Sequence, residues 1–329
     1  MAMTKLSRRR VLHLSAAAPF LGPLAMLGRG ADRAFAAEEF PSRTVRFIVP
    51  TPPGTLLDLL PRMIGDKLSQ RWGQSVVVEN HTGAEQILGA DYVSRADPDG
   101  YTLLFTPPGP IVLEQWLGTK LAFDPAAFVP VTVLAFVPNV LVVNGGAPFK
   151  TFEEWLAYAK ANPGKLNYGS PGGAAQLAQA ELLRRLGIEL VHIPYQGMAP
   201  AINDLVAGHI QMMSAAVGTI LPHIKSGEVR PIALTGTESL PQLPNVPLVS
   251  QFVADYKDTV WFAVVAPPHT PDPIATIIWQ GIADALNSPD IASRLQDSVL
   301  VKVASKPAEA AAFVQSERER WRAIVQAQQ

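Results

Sequence analysis

The sequence predicts an α/β protein with two lobes, each built on a mostly parallel sheet, that close on a ligand like a clamshell. Strand-like apolar runs alternate with helix-like segments, a pattern that is typical of βαβ units and parallel sheets. This alternation occurs in two series. They are joined by two long extended stretches with no helix beside them, 129–144 and 259–267. We expect both stretches to be hinge strands between the lobes.

These stretches set the expected domain boundaries. Residues 37–138 and 259–329 should form the first domain and residues 139–258 the second, with the ligand cleft between them. A chain of 329 residues is long enough to bury two cores. The elements expected in the first domain are strand 45–50, helix 57–72, strand 74–80, a helix ending near 96, strand 101–106, and two final helices at 272–287 and 306–327.

Residues 1–36 have the features of a secretory signal. A basic start is followed by an Ala- and Leu-rich apolar run and by a small-x-small cleavage site at Ala34 and Ala36. The segment "SRRRVL" contains a twin-arginine pair, which favours export in the folded state by the Tat route. The alternative, a membrane anchor, is disfavoured because two prolines and a glycine interrupt a short run. We therefore expect cleavage near Ala36 and a periplasmic protein.

Composition excludes several classes of function. Without residues 1–36 the chain loses six basic residues and one acidic residue, which leaves a formal charge of −6 and argues against nucleic-acid binding. There is no cysteine, so disulfides, thiolate nucleophiles and cysteine metal sites are excluded. No later apolar run is long enough to span a membrane, so we expect no membrane insertion of the mature chain.

The stretch "FIVPTPPGTLLDLL" suggests a ligand site. A strand stops at a Pro-Pro-Gly turn and a helix begins at once, with Asp58 in its first turn. A helix start presents free backbone N–H groups and a positive dipole end, so it binds anions without a basic side chain. Gly54 allows close approach of a ligand, and Thr51 and Thr55 add hydroxyl groups.

The same arrangement of strand, turn and helix recurs three times. The candidate contacts there are Tyr168, Ser170, Gly172, Ala174 and Gln176 in "YGSPGGAAQ", Tyr195 and Gly197 in "PYQGMAP", Pro108 and Gly109 in "FTPPGPIVL", and Ala216 after the strand "QMMSAA". Four such turns around one cleft would supply N–H and hydroxyl donors suited to a carboxylate.

Structural interpretations stay open beside these functional ones. Any α/β protein has glycine at such turns, Asp58 could pair with the helix dipole or with Arg62, and Ser170 could be a helix cap. Enzyme signatures are weak. "YGSPGG" lacks the glycine two residues before the serine of a nucleophile elbow, and "HTGAEQILGA" is not a dinucleotide motif. The six histidines form no HxH or HxxxH pair, so we expect no metal and no cofactor.

Taken in order, several segments resemble the periplasmic solute receptors of tripartite tricarboxylate transporters, the Bug family. The resemblance covers nearly the whole chain after the leader, and its most specific segments are "PDGYTLLF", "PNVLVVN", "ANPGKLNYGSPG", "VHIPYQGMAPAINDLVAGHIQMM", "LPHIKSGEVRPIALT" and "WFAVVAPPHTP". The resemblance implies a type II periplasmic binding protein that holds a carboxylate-bearing molecule between its lobes.

The family pattern also shows what is unusual here. Thr55 stands for a second glycine and Thr51 for an aromatic residue, while Ala174, Ala175 and Gln176 replace Ser, Ser and His. Gln196 stands for Lys, and Ala215 and Ala216 occupy a place where Asp is common. A less polar cleft favours a ligand with an apolar or aromatic body, because each missing partner leaves a ligand group unsatisfied at roughly 1–3 kcal/mol.

The resemblance therefore implies a monomeric receptor, not an enzyme, that delivers a small carboxylate to membrane permease subunits. One alternative is a periplasmic sensor whose closed form contacts a signalling partner. Another is a hydrolase that uses Ser170, although no base is spaced near it in the sequence.

Overall fold

Ten strands and nine α-helices alternate in the computed structural model, which describes residues 40–328. The strands are β1 (Val45–Val49), β2 (Val76–Asn80), β3 (Thr102–Thr106), β4 (Val129–Asn144), β5 (Asn167–Ser170), β6 (Val191–Pro194), β7 (Met212–Ala216), β8 (Val229–Leu234), β9 (Thr259–Ala266) and β10 (Val301–Lys302). The helices are α1 (Leu56–Trp72), α2 (Ile87–Ser94), α3 (Phe152–Ala161), α4 (Gly173–Leu186), α5 (Met198–Ala207), α6 (Val217–Lys225), α7 (Asp272–Leu286), α8 (Pro289–Asp297) and α9 (Pro307–Gln326).

Strand β4 joins two halves of one mixed sheet. Its residues from Val129 to Pro138 pair with β9, and those from Asn139 to Asn144 pair with β7 and β8. The strand order is β2-β1-β3-β9-β4-β7-β5-β6, with β8 and β10 also on β4. We call the part with β1–β3, β9 and β10 the first half and the part with β5–β8 the second half.

The strand directions place the ends of six strands towards the boundary between the halves. β3 is antiparallel to β9, which is antiparallel to β4, so β3 and its parallel neighbours β1 and β2 run in the direction of β4, towards the second half. β7 is antiparallel to β4, and β5 and β6 are parallel to β7, so these three run towards the first half. The turns after these six strands therefore lie at the boundary.

Helices cover both faces of each half because the strand side chains alternate between faces. In β4, Leu141 and Val143 pack in one cluster with α3 and α4, while Val140 and Val142 pack in another with α5 and α6. In the first half, α1 and α7 cover one face, and α2 and α9 cover the other. This pattern gives each half the α/β sandwich that the sequence predicted.

Backbone hydrogen bonds hold the second connection between the halves in place. Thr235, after β8, donates its N–H to Asn139 O at 3.0 Å, and the Asp258 N–H donates to Thr235 O at 2.8 Å. β9 begins directly afterwards, at Thr259, and pairs only with β3 and the first part of β4 within residues 40–328. Of the two expected hinge strands, β4 crosses the boundary and β9 starts at it.

Most of the predicted elements are present within one or two residues of their expected bounds. The parallel pairing is confirmed for β1–β3 and β5–β7, and the strands next to β4 are antiparallel, which makes the sheet mixed. The sequence prediction missed α8 and β10, which are short. The predicted domain bounds stay a prediction, although the pairing changes at Pro138 and Asn139. The predicted leader, residues 1–36, lies outside the described residues.

Close packing of α1 on α7 generates a stability prediction. A Cβ added at Gly281 in α7 would lie 2.8 Å from Leu68 Cδ2 and 2.9 Å from Trp72 Cζ2 of α1. In an open helix Gly→Ala is stabilising by about 1 kcal/mol, but here Gly281→Ala should lower the free energy of unfolding by about 1–3 kcal/mol. Urea unfolding measures this, with Gln280→Ala on the exposed face of α7 as the control. A more stable Gly281→Ala variant would contradict the packing.

Candidate functional site

Six turns follow the strands whose ends face the boundary, and we call them the strand-end turns. They are 50–55 after β1, 81–86 after β2, 107–108 after β3, 171–172 after β5, 195–197 after β6, and the direct junction of β7 and α6 at Ala216. Each predicted contact segment includes one of these turns. Five of the turns lead into α1, α2, α4, α5 and α6, and none of these helix starts has a side-chain cap.

Asp58 holds the first strand-end turn in place. Its carboxylate accepts hydrogen bonds from Gly54 N at 2.9 Å, Asn80 Nδ2 at 2.8 Å and Arg62 Nη2 at 2.8 Å, and its side chain is 2% exposed. Asn80, at the end of β2, also donates to Thr51 O at 2.9 Å. Thr51 and Thr55 bond to each other through their hydroxyl groups at 2.9 Å. The turn is therefore tied to its own helix and to the next strand.

This network changes the role expected for Asp58. Hydrogen bonds from Arg62, Gly54 and Asn80 outweigh the effect of burial and lower the pKa of Asp58 to about 2. The Gly54 N–H is already used by this carboxylate. Asp58 pairs with Arg62 and also lies in the first turn of α1, so both structural interpretations left open by the sequence are present in the structure. Its contact with a ligand stays a prediction.

Ser170 ends β5 and is fully buried. Its Oγ lies 2.8 Å from Nε2 of His192 in β6 and accepts the Gly172 N–H at 3.3 Å. The ring of Tyr168, two residues earlier in β5, lies 4.9 Å from the His192 ring and is 5% exposed. Burial raises the pKa of Tyr168 and lowers that of His192. Tyr168 and Ser170, both predicted as ligand contacts, are therefore buried next to the turn after β5 and help to hold it in place.

The pairing of Ser170 with His192 supplies the base that sequence spacing had not revealed. Nucleophile and base at hydrogen-bond distance are the first requirement for a serine hydrolase. The other requirements are absent from residues 40–328: no carboxylate bonds to His192, and the Ser170 side chain has no access to solvent. The geometry therefore gives the pair a structural role.

The strand-end turn after β6 is held by Tyr195. Its hydroxyl donates to Asp204 Oδ2 of α5 at 2.7 Å, and Asp204 Oδ1 lies 3.2 Å from His209 Nδ1. Burial, followed by the contact with Asp204, raises the pKa of Tyr195 to about 12. Gly197 begins α5 with φ of +111°, a conformation that favours glycine.

Two carboxylates lie near the turn after β3. Pro108 is buried, and Gly109 begins a single π turn that ends at Leu113. Glu114 follows and accepts a hydrogen bond from Thr119 at 3.0 Å. Burial first, and then the nearby Glu85, raise the pKa of Glu114. Glu85 belongs to the turn after β2, where three consecutive non-glycine residues have positive φ.

The remaining predicted contacts are partly accessible. Ala174 of α4 packs against the hydrophobic cluster between the first-half sheet and α9, and Gln176 is the fourth residue of α4. Ala216 pairs with Asn139 at the end of β7 and precedes α6, whose Gly218 lies against Ser298 O. Four of the predicted contact residues are buried and position the turns: Asp58, Pro108, Tyr168 and Ser170. The other ten are at least partly exposed: Thr51, Gly54, Thr55, Gly109, Gly172, Ala174, Gln176, Tyr195, Gly197 and Ala216.

The strand-end turns contain no lysine or arginine, so their donors to an anion are backbone N–H groups, hydroxyl groups and the side chains of His81, Gln86 and Gln196. Within residues 40–328, no three His, Asp or Glu side chains are grouped so that they could hold a metal ion. A cavity of about 390 Å³ lies elsewhere, between Leu240–Gln242 and the segment from α8 to β10. In the described part of the chain, no helix combines the length and apolar character that a bilayer crossing needs.

Comparison with solved structures identifies the class of protein. The fold is that of periplasmic binding proteins. The R. palustris protein Rpa4515, solved with adipate, is 30% identical with a TM-score of 0.73, over 87% of this chain and 97% of that one. MatC from Rhodopseudomonas palustris, solved with malate, is 29% identical with a TM-score of 0.70, over 87% and 100%. A TctC solute binding protein from Polaromonas is 22% identical with a TM-score of 0.80, over 88% and 99%, and supports the fold alone.

Sequence comparison identifies the family. The family described as "Tripartite tricarboxylate transporter family receptor" matches residues 60–329. A Pseudomonas protein of the UPF0065 group is 34% identical over 98% of this chain and 95% of its own length. Protein BugT of Bordetella pertussis is 30% identical over 88% and 90%. The chain belongs to the tripartite tricarboxylate transporter receptor family, which confirms the resemblance seen in the sequence. This is a family of periplasmic binding receptors rather than a class of enzymes.

The Asp58 network yields a prediction about stability and pH. Asp58→Ala should lower the free energy of unfolding by about 2 kcal/mol at neutral pH, because the Gly54 N–H and the Asn80 amide lose their acceptor. The folded pKa is depressed, so this contribution is present above about pH 4 and is lost as pH falls towards 2. Urea unfolding at several pH values measures it.

The control is Asp66→Ala, which removes an exposed acid from the same helix and should change stability by less than about 0.5 kcal/mol. Equal losses for the two variants, or a difference between them that is as large at pH 2 as at pH 7, would show that Asp58 does not hold the turn.

Proposed function

We propose that this protein is a periplasmic receptor that captures a small carboxylate at the strand-end turns and delivers it to the membrane permease subunits of a tripartite transporter. The observation that carries the proposal is the convergence of strand ends from both halves on one boundary, with helices that begin there without side-chain caps. Uncapped N–H groups and the positive ends of helix dipoles attract a carboxylate.

The known relatives support the carboxylate. Two similar proteins were solved with adipate and with malate, and both of these ligands carry carboxylate groups. With no lysine or arginine in the turns, binding of the anion depends mainly on backbone donors, and the turn after β5 offers the first N–H groups of α4. The turns therefore suit one end of an acid and leave the rest of the molecule against less polar walls.

The body of the ligand is proposed to be apolar or aromatic. Ala174, Ala175 and Ala216 supply methyl groups and no hydrogen-bond partners at the helix starts. Glu85 and Glu114 lie on the first half, where they disfavour a second or third carboxylate in their vicinity. A hydrophilic tricarboxylate would leave polar groups unsatisfied, at roughly 1–3 kcal/mol for each group.

The proposed function also requires export of the protein to the periplasm. The basic start, apolar run and small-x-small site of residues 1–36 favour Tat export and cleavage near Ala36, and the receptor then acts as a monomer in the periplasm. The functional consequence is binding and release, with the ligand chemically unchanged.

A ligand panel tests the substrate class. Thermal unfolding of the mature chain is measured with hexanoate, benzoate, adipate, malate and citrate. A ligand at 100 times its Kd adds about 2.7 kcal/mol to the free energy of unfolding, so true ligands give clear shifts. We expect stabilisation by acids with an aliphatic or aromatic body. Stabilisation by citrate, with none from these acids, would contradict the proposed class.

A bulky side chain at the boundary tests the place of binding. Gly109 does not have positive φ, and a Cβ there meets only Glu114 Oε1, at 3.9 Å, so Gly109→Phe adds bulk without backbone strain. We expect at least a tenfold loss of affinity for whichever panel acid binds, measured by isothermal titration. The control is Ala161→Phe, on the exposed end of α3 away from the turns. Equal affinity of both variants would place the ligand elsewhere.

A further inference from the structure

The turn between β5 and α4 contains two glycines with positive φ. Gly172 has φ of +86° and Gly173 has φ of +54°, conformations that side-chain-bearing residues rarely adopt. Apart from their own stretch of chain, no atom lies within 4 Å of the Cβ position of either residue, so no side chain packs against these two positions. Hydrogen bonds to the turn therefore contribute to its geometry.

Ser170 and His192 supply those bonds as a directed chain. The Gly172 N–H can only donate, so Ser170 Oγ accepts it, at 3.3 Å. Within residues 40–328, the only acceptor within hydrogen-bond distance of the Ser170 hydroxyl is His192 Nε2, 2.8 Å away, so we assign the hydroxyl as the donor to Nε2. This direction requires a neutral imidazole with its proton on Nδ1.

The surroundings of His192 favour that state. Its ring lies against Tyr168, at 4.9 Å, and in residues 40–328 no charged side chain bonds to it. Burial lowers the pKa of His192, with no charged neighbour contributing to the shift. Protonation would turn Nε2 into a donor, and the buried hydroxyl hydrogen of Ser170 would then lose its acceptor.

We propose that His192 is a positioning residue of the ligand site: it orients Ser170, which holds the Gly172–Gly173 turn so that the first N–H groups of α4 stay directed at the boundary. The proposal rests on the proposed function, since it concerns the same turn. His192 acts on the turn through Ser170 and does not contact the ligand.

Two substitutions separate the acceptor from the ring. His192→Gln places an amide oxygen near the position of Nε2 and keeps an acceptor for Ser170. His192→Phe keeps the ring against Tyr168 and removes the acceptor. Amide hydrogen exchange of Gly172 to Ala175 is measured in the ligand-free mature chain. In the His192→Gln variant, we expect exchange near that of the unmodified protein. In the His192→Phe and Ser170→Ala variants, we expect exchange about five- to tenfold faster, the equivalent of about 1–1.4 kcal/mol.

Nitrogen-15 NMR of the imidazole reads the proton position directly and should show Nδ1 protonated and Nε2 bare at pH 7. Because the pKa of His192 is lowered in the folded state, the stability that neutral His192 contributes is complete above about pH 6.5. This contribution is lost as the pH falls below that value. The difference in Tm between the protein and His192→Phe should therefore shrink from pH 7 to pH 5. A protonated Nε2 at pH 7, or slow exchange in His192→Phe, would overturn the proposal.

These readouts need no ligand, so they stand apart from the proposed function. If no panel acid binds but the exchange pattern is as expected, the function fails and the positioning role holds. If acids bind and His192→Phe binds them as tightly as His192→Gln, the positioning role fails alone. Labelling of Ser170 by a fluorophosphonate would also overturn it, because the pair would then be an accessible nucleophile and base.

Discussion

The change of partners along β4 is the constraint on which the site depends. One strand pairs with β9 in its first part and with β7 and β8 in its second part, and it is antiparallel to all three. That polarity forces the parallel strands of the first half to run towards the second half, and those of the second half to run back. Six strand ends and the starts of several helices are thereby brought to one boundary, where open α/β sheets place their ligands.

Strand polarity alone does not fix the turns, and hydrogen bonds between side chains hold them in place. Asp58 with Asn80, Ser170 with His192, and Tyr195 with Asp204 each join a strand-end turn to a neighbouring strand or to its own helix. In each pair, polar groups that could otherwise have contacted a ligand are engaged in hydrogen bonds with each other. The anion site is therefore left to backbone N–H groups, which sequence variation cannot easily remove.

The fold could be predicted from the sequence because it rests on local patterns. Alternating apolar runs in β1 to β9, the helix periodicity of α1 and α9, and the absence of a helix beside 129–144 each report one element. β10 has only two residues, too few to give a pattern, so it was missed. α8 is as long as α6, so its pattern was present in the sequence although the prediction did not use it. The start of β9 at 259 was predicted, but that β9 does not cross the boundary could not be, because this depends on the bonds of Thr235 with Asn139 and Asp258.

The site was predictable in position but not in roles. Glycine and proline at strand ends marked the turns, while the register that aligns Tyr168 with His192 is a property of the parallel pairing of β5 with β6. No spacing in the sequence encodes that register, so Ser170 looked like a ligand contact with no base near it. The strained run from Ala84 to Gln86 was hidden for a similar reason, since it contains no glycine to signal positive φ.

The most direct measurement is a crystal structure of the receptor with the acid that it binds. We predict a carboxylate within about 3 Å of backbone N–H groups from a strand-end turn of each half, including the start of α4. An acid bound instead in the cavity between Leu240–Gln242 and α8, or held by side-chain cations away from the turns, would contradict it.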